Sequence, residues 1–131
     1  MATLQQLGSE KYVFLTTFRK DGRAVGTPIW VMPDGEHLAF WTPKDTGKVK
    51  RIRNSGRVTV QACDIRGNTH GDVVEGQASF GTRDDRKRVT ASLRRKYGLF
   101  GKLTLIGSRI RRGAEGTVII LVRRPDQEPG T

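Results

Sequence analysis

Trp41-Thr42-Pro43-Lys44-Asp45-Thr46-Gly47-Lys48-Val49-Lys50-Arg51-Ile52-Arg53-Asn54-Ser55-Gly56-Arg57 carries a strand end straight into a short basic helix. Asp45 or Thr46 is placed to cap that helix, Val49 and Ile52 share one face, and Lys48, Lys50, Arg51 and Arg53 occupy the others. Asn54-Ser55-Gly56 is its stop signal, so the helix is about two turns long. A helix N-terminus presents unpaired N–H groups and the positive end of the dipole. Gly47 lets the backbone come close, Thr46 offers a hydroxyl and Lys48 a charge, which together suit a phosphate. The same residues also suit a solvated basic connector between two strands, and only the rest of the chain decides between the two.

Upstream, Tyr12–Phe18 is rich in aromatic and β-branched residues and reads as a strand. Lys20-Asp21-Gly22 turns it into residues 24–32, and Pro33-Asp34-Gly35 turns those into residues 37–42, which predicts a three-stranded antiparallel meander. Pro28 lacks an N–H, so the second strand is expected to lie at an edge, a bulge or an opening toward a ligand. Residues 3–7 read as a short helical lead-in ended by Gly8. Downstream, Arg57–Cys63 alternates as a strand with one buried face, and residues 72–81 alternate again beyond the polar loop 66–71. Small residues at Gly76 and Ala78 suggest a tightly curved, barrel-like sheet.

Val89, Leu93 and Tyr97 recur every fourth residue, one apolar stripe of an amphipathic helix over residues 83–97 that Gly98 stops. Leu99, Leu103, Ile106 and Ile110 continue that spacing through a second basic helical segment. Residues 117–122 form a continuous apolar run, a buried strand, and residues 125–131 a polar, disordered tail. The expectation is one α+β domain over residues 1–124, with six antiparallel strands.

Among 131 residues there is one cysteine, Cys63, which excludes an internal disulfide and, in its strand setting, points to a packing role in a reducing cytoplasm. No apolar run approaches the ~18 residues of a membrane span, and the start of the chain lacks a signal-peptide pattern, so a soluble, cytoplasmic protein is expected. The net charge of +11 sits in two blocks: residues 44–57 hold six lysines and arginines against one acid, and residues 83–112 hold eleven against two. Such a field concentrates anions, whether nucleic acid, an acidic membrane surface or a polyanionic cofactor. No His-Cys metal cluster and no Ser-His-Asp set stands out, and His37 and His70 read as structural or solvated. Trp30, Phe40 and Trp41 gather beside the basic helix instead of interleaving with arginines along a strand, which disfavours the competing class, a non-catalytic β-barrel binding nucleic acid or acidic surfaces.

In order, Pro28-Ile29-Trp30-Val31, Asp34-Gly35, Phe40-Trp41-Thr42, Gly47-Lys48-Val49-Lys50-Arg51-Ile52-Arg53-Asn54 and Arg57-Val58-Thr59-Val60 resemble the pyridoxamine-phosphate-oxidase-like superfamily. Within it the chain is most similar to the short branch of PPOX-class F-420-dependent oxidoreductases, over residues 11–122. The resemblance implies a six-stranded antiparallel split β-barrel of the FMN-binding type, homodimeric, with two cofactor sites at the interface. It also implies hydride transfer by the deazaflavin coenzyme F-420 to a small conjugated organic acceptor. Carried over residue by residue, Thr27, Pro28, Ile29 and Trp30 line the ring, and Trp41 and Thr42 lie beside the ribityl chain. Thr46, Gly47, Lys48 and Val49 surround the phosphate, with Lys50 at its margin.

No catalytic side chain is required of such a protein, because the cofactor carries the hydride. The chain departs from the flavin-mononucleotide oxidases in having Gly26 where they have an arginine, and Thr46-Gly47-Lys48 where they have Ser-Arg-Lys. Those departures weigh against tight FMN binding. The phosphodiester and oligoglutamate tail of F-420 match the two basic blocks better, and FMN or heme in the same slot is the alternative. Substrate choice is expected to fall to the loop 66–71 and the segment 99–112.

Overall fold

The computed structural model describes residues 2–113 and 116–126, so most of the tail expected over 125–131 lies outside the described residues. The elements in chain order are α1 (Leu4–Leu7), β1 (Tyr12–Phe18), β2 (Ala24–Trp30), β3 (Met32–Asp34), β4 (His37–Pro43), α2 (Gly47–Asn54), β5 (Arg57–Cys63), β6 (Thr69–Phe80), α3 (Arg83–Arg112) and β7 (Thr117–Arg123). The strands form one antiparallel sheet in the order β2-β1-β5-β6-β7-β4-β3.

This order corrects the expected meander. β2 pairs with β1 along its whole length, but β4 pairs with β3 and β7 and not with β2. What the pattern reads as one strand over 24–32 is two, divided at Val31, and this is why seven strands stand where six are expected. The first part is half-exposed, whereas Val31 and Met32 are fully buried, so the chain turns inward at the division and changes partner. Because β2 and β3 are the two ends of the sheet and are joined through a single residue, the sheet closes on itself as a barrel.

The division removes Val31 from both ladders, and α3 supplies what the ladders do not. The Val31 N–H donates to Tyr97 Oη at 3.1 Å, and the Val31 carbonyl accepts from Lys96 Nζ at 2.5 Å. The Lys96 ammonium also donates to the carbonyls of Gly8 and Glu10, and the Tyr97 hydroxyl donates to the Lys11 carbonyl at 2.6 Å. One turn of helix therefore ties together the chain before β1 and the switch between β2 and β3. Nearer its start, α3 is held by Arg88, whose guanidinium donates to both carboxylate oxygens of Asp34 at 2.8 and 3.0 Å.

Strand alternation separates two cores. Val13, Leu15, Leu38, Phe40, Val58, Val60, Ile120 and Val122 fill the barrel, with Leu4 and Leu7 of α1 and Ile52 of α2 packed against them. On the other face of β3, β4 and β7, Met32, Ala39 and Ile119 pack under Val89 and Leu93 of α3, with Trp30, Trp41 and Tyr97 at the margin. The stripe read from Val89, Leu93 and Tyr97 is the face α3 buries. Gly98 breaks the helix as expected: its φ of 58° is the left-handed region that glycine enters without steric cost, and helix resumes beyond it.

Lys96→Met removes the ammonium from the carbonyls of Gly8, Glu10 and Val31, of which Val31 keeps the Tyr97 hydroxyl at 3.2 Å, and Tyr97→Phe removes the acceptor of the Val31 N–H. Each is expected to lower the unfolding free energy by about 1–3 kcal/mol in denaturant melts. A change below ~0.5 kcal/mol for both would show that α3 does not hold the strand switch.

Candidate functional site

Thr46 is the N-cap of α2, in extended conformation, yet it makes no capping bond. Its hydroxyl donates instead to the Pro43 carbonyl at 3.0 Å, and no acid stands in the first helical turn. The cap expected from Asp45 or Thr46 is therefore not made, and the N–H groups at the start of α2 keep no side-chain acceptor. That leaves the positive end of the helix free to meet an external anion.

Cations gather in front of it. Arg51 lies one turn along α2, and its Nε donates to Thr17 Oγ1 at 2.6 Å, which turns the rest of the guanidinium over the start of the helix. A Cβ at position 47 would stand 2.7 Å from Arg51 Nη1, so glycine there leaves the guanidinium room beside the backbone. A hollow of about 430 Å³ opens at this point, faced by Arg19, Lys20, Arg23, Lys50 and Arg51. Its one acid, Asp21, is already paired with Arg23 at 2.8 Å. Burial pushes the Arg51 guanidinium below its ordinary pKa, and neighbouring Arg19 pushes it the same way. Unpaired cations that repel one another across an open hollow are stabilised by an anion with several oxygens, as a phosphate has.

Of the residues expected at the phosphate, Gly47 and Lys50 line this hollow. Val49 is fully buried, which leaves only its backbone N–H to serve. Lys48 is turned away: its Nζ donates to the buried Thr42 hydroxyl at 3.3 Å, and burial, then Arg51, holds its pKa down. Arg19 and Arg51 were not among the expected residues. The spacing of Gly47 to Arg51, i to i+4 on a helix, is the signal that could have found Arg51. Arg19 comes from the far end of β1 and leaves no local trace in the sequence.

A second cavity, of about 660 Å³, lies beside Trp30. The Trp30 and Tyr97 rings stack at 4.2 Å between centroids and 10° between planes, and Tyr12, Phe100, Ile65 and Lys11 complete the walls. Burial pushes the Tyr97 hydroxyl up to about 12, with the Val31 backbone acting against it, so the group is neutral at physiological pH. Burial also pulls the Lys96 amine down to about 8, and its contacts to three carbonyls suit the ammonium form.

The other expected ring and ribityl residues lie elsewhere. Thr27 and Ile29 are half-buried on β2 and Pro28 is exposed. The Phe14 ring covers Gly26 so closely that a Cβ there would fall 2.1 Å from it. Trp41 sits under α3 in the second core, and Thr42 is buried. The basic hollow and the aromatic cavity are at opposite ends of the β1–β2 hairpin, with Phe18 at one and the Tyr12–Trp30 pair at the other. Six strand steps separate them by roughly 20 Å. A single protomer therefore does not bring the expected phosphate and ring residues into one pocket. Among the described residues no group of His, Cys, Asp and Glu could hold a metal ion, and no helix is long and apolar enough to cross a membrane.

The closed antiparallel sheet with its helices has the α+β split β-barrel fold. The family model described as pyridoxamine 5'-phosphate oxidase matches residues 2–121, and the chain belongs to that family. No curated protein matches it. Among solved structures it is similar to HutZ, the heme storage protein from Vibrio cholerae, at 14% identity and a TM-score of 0.69, over 97% of this chain and 93% of that one. It is similar to an F420 reductase at 20% identity and a TM-score of 0.58, over 94% of each chain. An FAD-binding protein from Mesorhizobium loti gives 17% identity and a TM-score of 0.61, over 92% of this chain and 83% of that one. At these identities the likeness is one of fold.

If the hollow is an anion site, inorganic pyrophosphate at millimolar concentration should raise the melting temperature of the wild type, since a ligand of the folded state stabilises it by mass action. Arg51→Ala should lose most of that shift. Equal shifts in both proteins would place the anion elsewhere.

Proposed function

We propose that the protein is an oxidoreductase that binds coenzyme F-420 and passes hydride to a small conjugated organic acceptor. The observation that carries this reading is the uncapped start of α2 at a hollow faced by Arg19, Lys20, Lys50 and Arg51, whose one acid, Asp21, is taken by Arg23. The phosphodiester of the cofactor fits there, received by the N–H groups from Gly47 on and by the guanidinium of Arg51. Arg19, Lys20 and Lys50 extend the positive field toward the carboxylates of an oligoglutamate tail. The flat wall made by Trp30 and Tyr97 suits a conjugated ring. The deazaflavin, when bound, supplies the hydride chemistry; the chain binds, orients and shields.

We propose a homodimer as well, and the separation of the two cavities supports it. With roughly 20 Å between hollow and aromatic wall in one protomer, a two-fold interface that sets the hollow of one subunit near the ring wall of its partner completes a site that neither holds alone. FMN is the second reading, and a particular observation favours it: Arg19 and Arg51 supply two guanidinium groups near the phosphate position, the number that Gly26 and Gly47 leave out of the sequence pattern.

Titrating F-420, FMN and hemin against tryptophan fluorescence tests the assignment, with F-420 expected to bind tightest and to bind more tightly as glutamates are added. Tight hemin or FMN binding with none of F-420 would overturn it. Arg51→Ala is expected to weaken F-420 about ten- to a hundredfold, the value of a charge-assisted bond to a shielded anion. Lys44→Ala, on an exposed side chain, should cost a few-fold at most, and Lys48→Ala should fall between them. Sedimentation at micromolar concentration should show a dimer; a monomer alone would remove the shared site.

A further inference from the structure

Beyond Gly98, α3 turns an apolar stripe away from the body of the protein. Gly101 is buried and Leu105 half-buried on the inner side, whereas Leu99, Phe100, Leu103, Ile106 and Ile110 are 71, 75, 56, 48 and 82% exposed. At 100° per residue Leu99, Leu103, Ile106 and Ile110 fall on one line, with Lys102 and Arg109 along one flank and Arg111 on the other. A contiguous apolar stripe of this extent on a soluble surface marks an interaction site.

Charge selects the occupant. No aspartate or glutamate occurs between Arg86 and Gly113, while Lys102, Arg109 and Arg111 border the stripe as exposed cations. Pairing two copies of the stripe would set those cations against one another with no acid on this half of the helix to neutralise them. An anionic lipid surface accepts both features, taking the leucines and isoleucines at the acyl boundary and the cations among its headgroups. The segment is about 21 Å long and lies in such a boundary without crossing it. We propose that the second half of α3 is an interfacial anchor that docks the protein on anionic lipid bilayers. The inference stands on the helix alone and does not use the cofactor reading.

Flotation of the full chain with vesicles of phosphatidylcholine, with and without phosphatidylglycerol, tests it. The wild type should float with the anionic vesicles only, with affinity falling about tenfold or more from low to high salt. A Leu103→Glu/Ile110→Glu double variant changes two exposed positions, should keep its circular dichroism spectrum, and should lose at least about tenfold in vesicle affinity. Absence of wild-type binding at low salt would overturn the proposal. So would unchanged binding by the double variant, which would mean diffuse charge attraction. A variant that turns a wild-type dimer into a monomer, with no vesicle binding by either, would mean that a second copy covers the stripe.

Discussion

Val31 stands between two strand ladders and belongs to neither, and a buried backbone group at such a switch costs about 1–3 kcal/mol if nothing pairs it. Tyr97 and Lys96 pair it, from the turn of α3 that precedes the break at Gly98. The same tyrosine stacks on Trp30, the last residue of β2, so the helix that pins the switch also builds the flat wall of the aromatic cavity. Closure of the barrel and shape of the cavity are thus one constraint. Gly8 and Glu10, through their carbonyls on Lys96, bring the start of the chain into it.

Three of the acids of this basic chain hold structure. Asp34 and Asp85 take Arg88 and fix the start of α3, Asp85 completes the capping box with Thr82, and Asp21 takes Arg23 at the β1–β2 turn. None of the ion pairs among the described residues includes Arg19, Lys48, Lys50 or Arg51. An uncapped helix start and unneutralised cations are each locally unfavourable, and their meeting at one hollow is the kind of local inconsistency that a binding site retains.

Much of this was legible in the sequence. Aromatic and β-branched content located β1, alternation β5 and a continuous apolar run β7, the turn signals marked the starts of β2 and β4, and Gly98 marked the break in α3, because each depends on neighbours in the chain. β6 begins at Thr69 instead of 72 because Thr69 and His70 pair with Cys63 and Ala62 across a bulge, which no local pattern announces. The strand switch was hidden for a related reason: Ile29-Trp30-Val31-Met32 reads as one apolar strand, and only pairing partners distant in sequence divide it. At the site, Gly47 and Lys50 were readable from the helix start. The destination of the Thr46 hydroxyl, the retreat of Lys48 to Thr42 and the arrival of Arg19 are tertiary facts.

In the proposed function the start of α2 receives the phosphate of a redox cofactor. A crystal structure of the protein with F-420 is the decisive measurement. The phosphodiester is expected within hydrogen-bonding distance of the Gly47 N–H and the Arg51 guanidinium, with Arg19 toward the glutamate tail. A bound cofactor whose phosphate lies away from both groups, with the hollow holding only water, would contradict it.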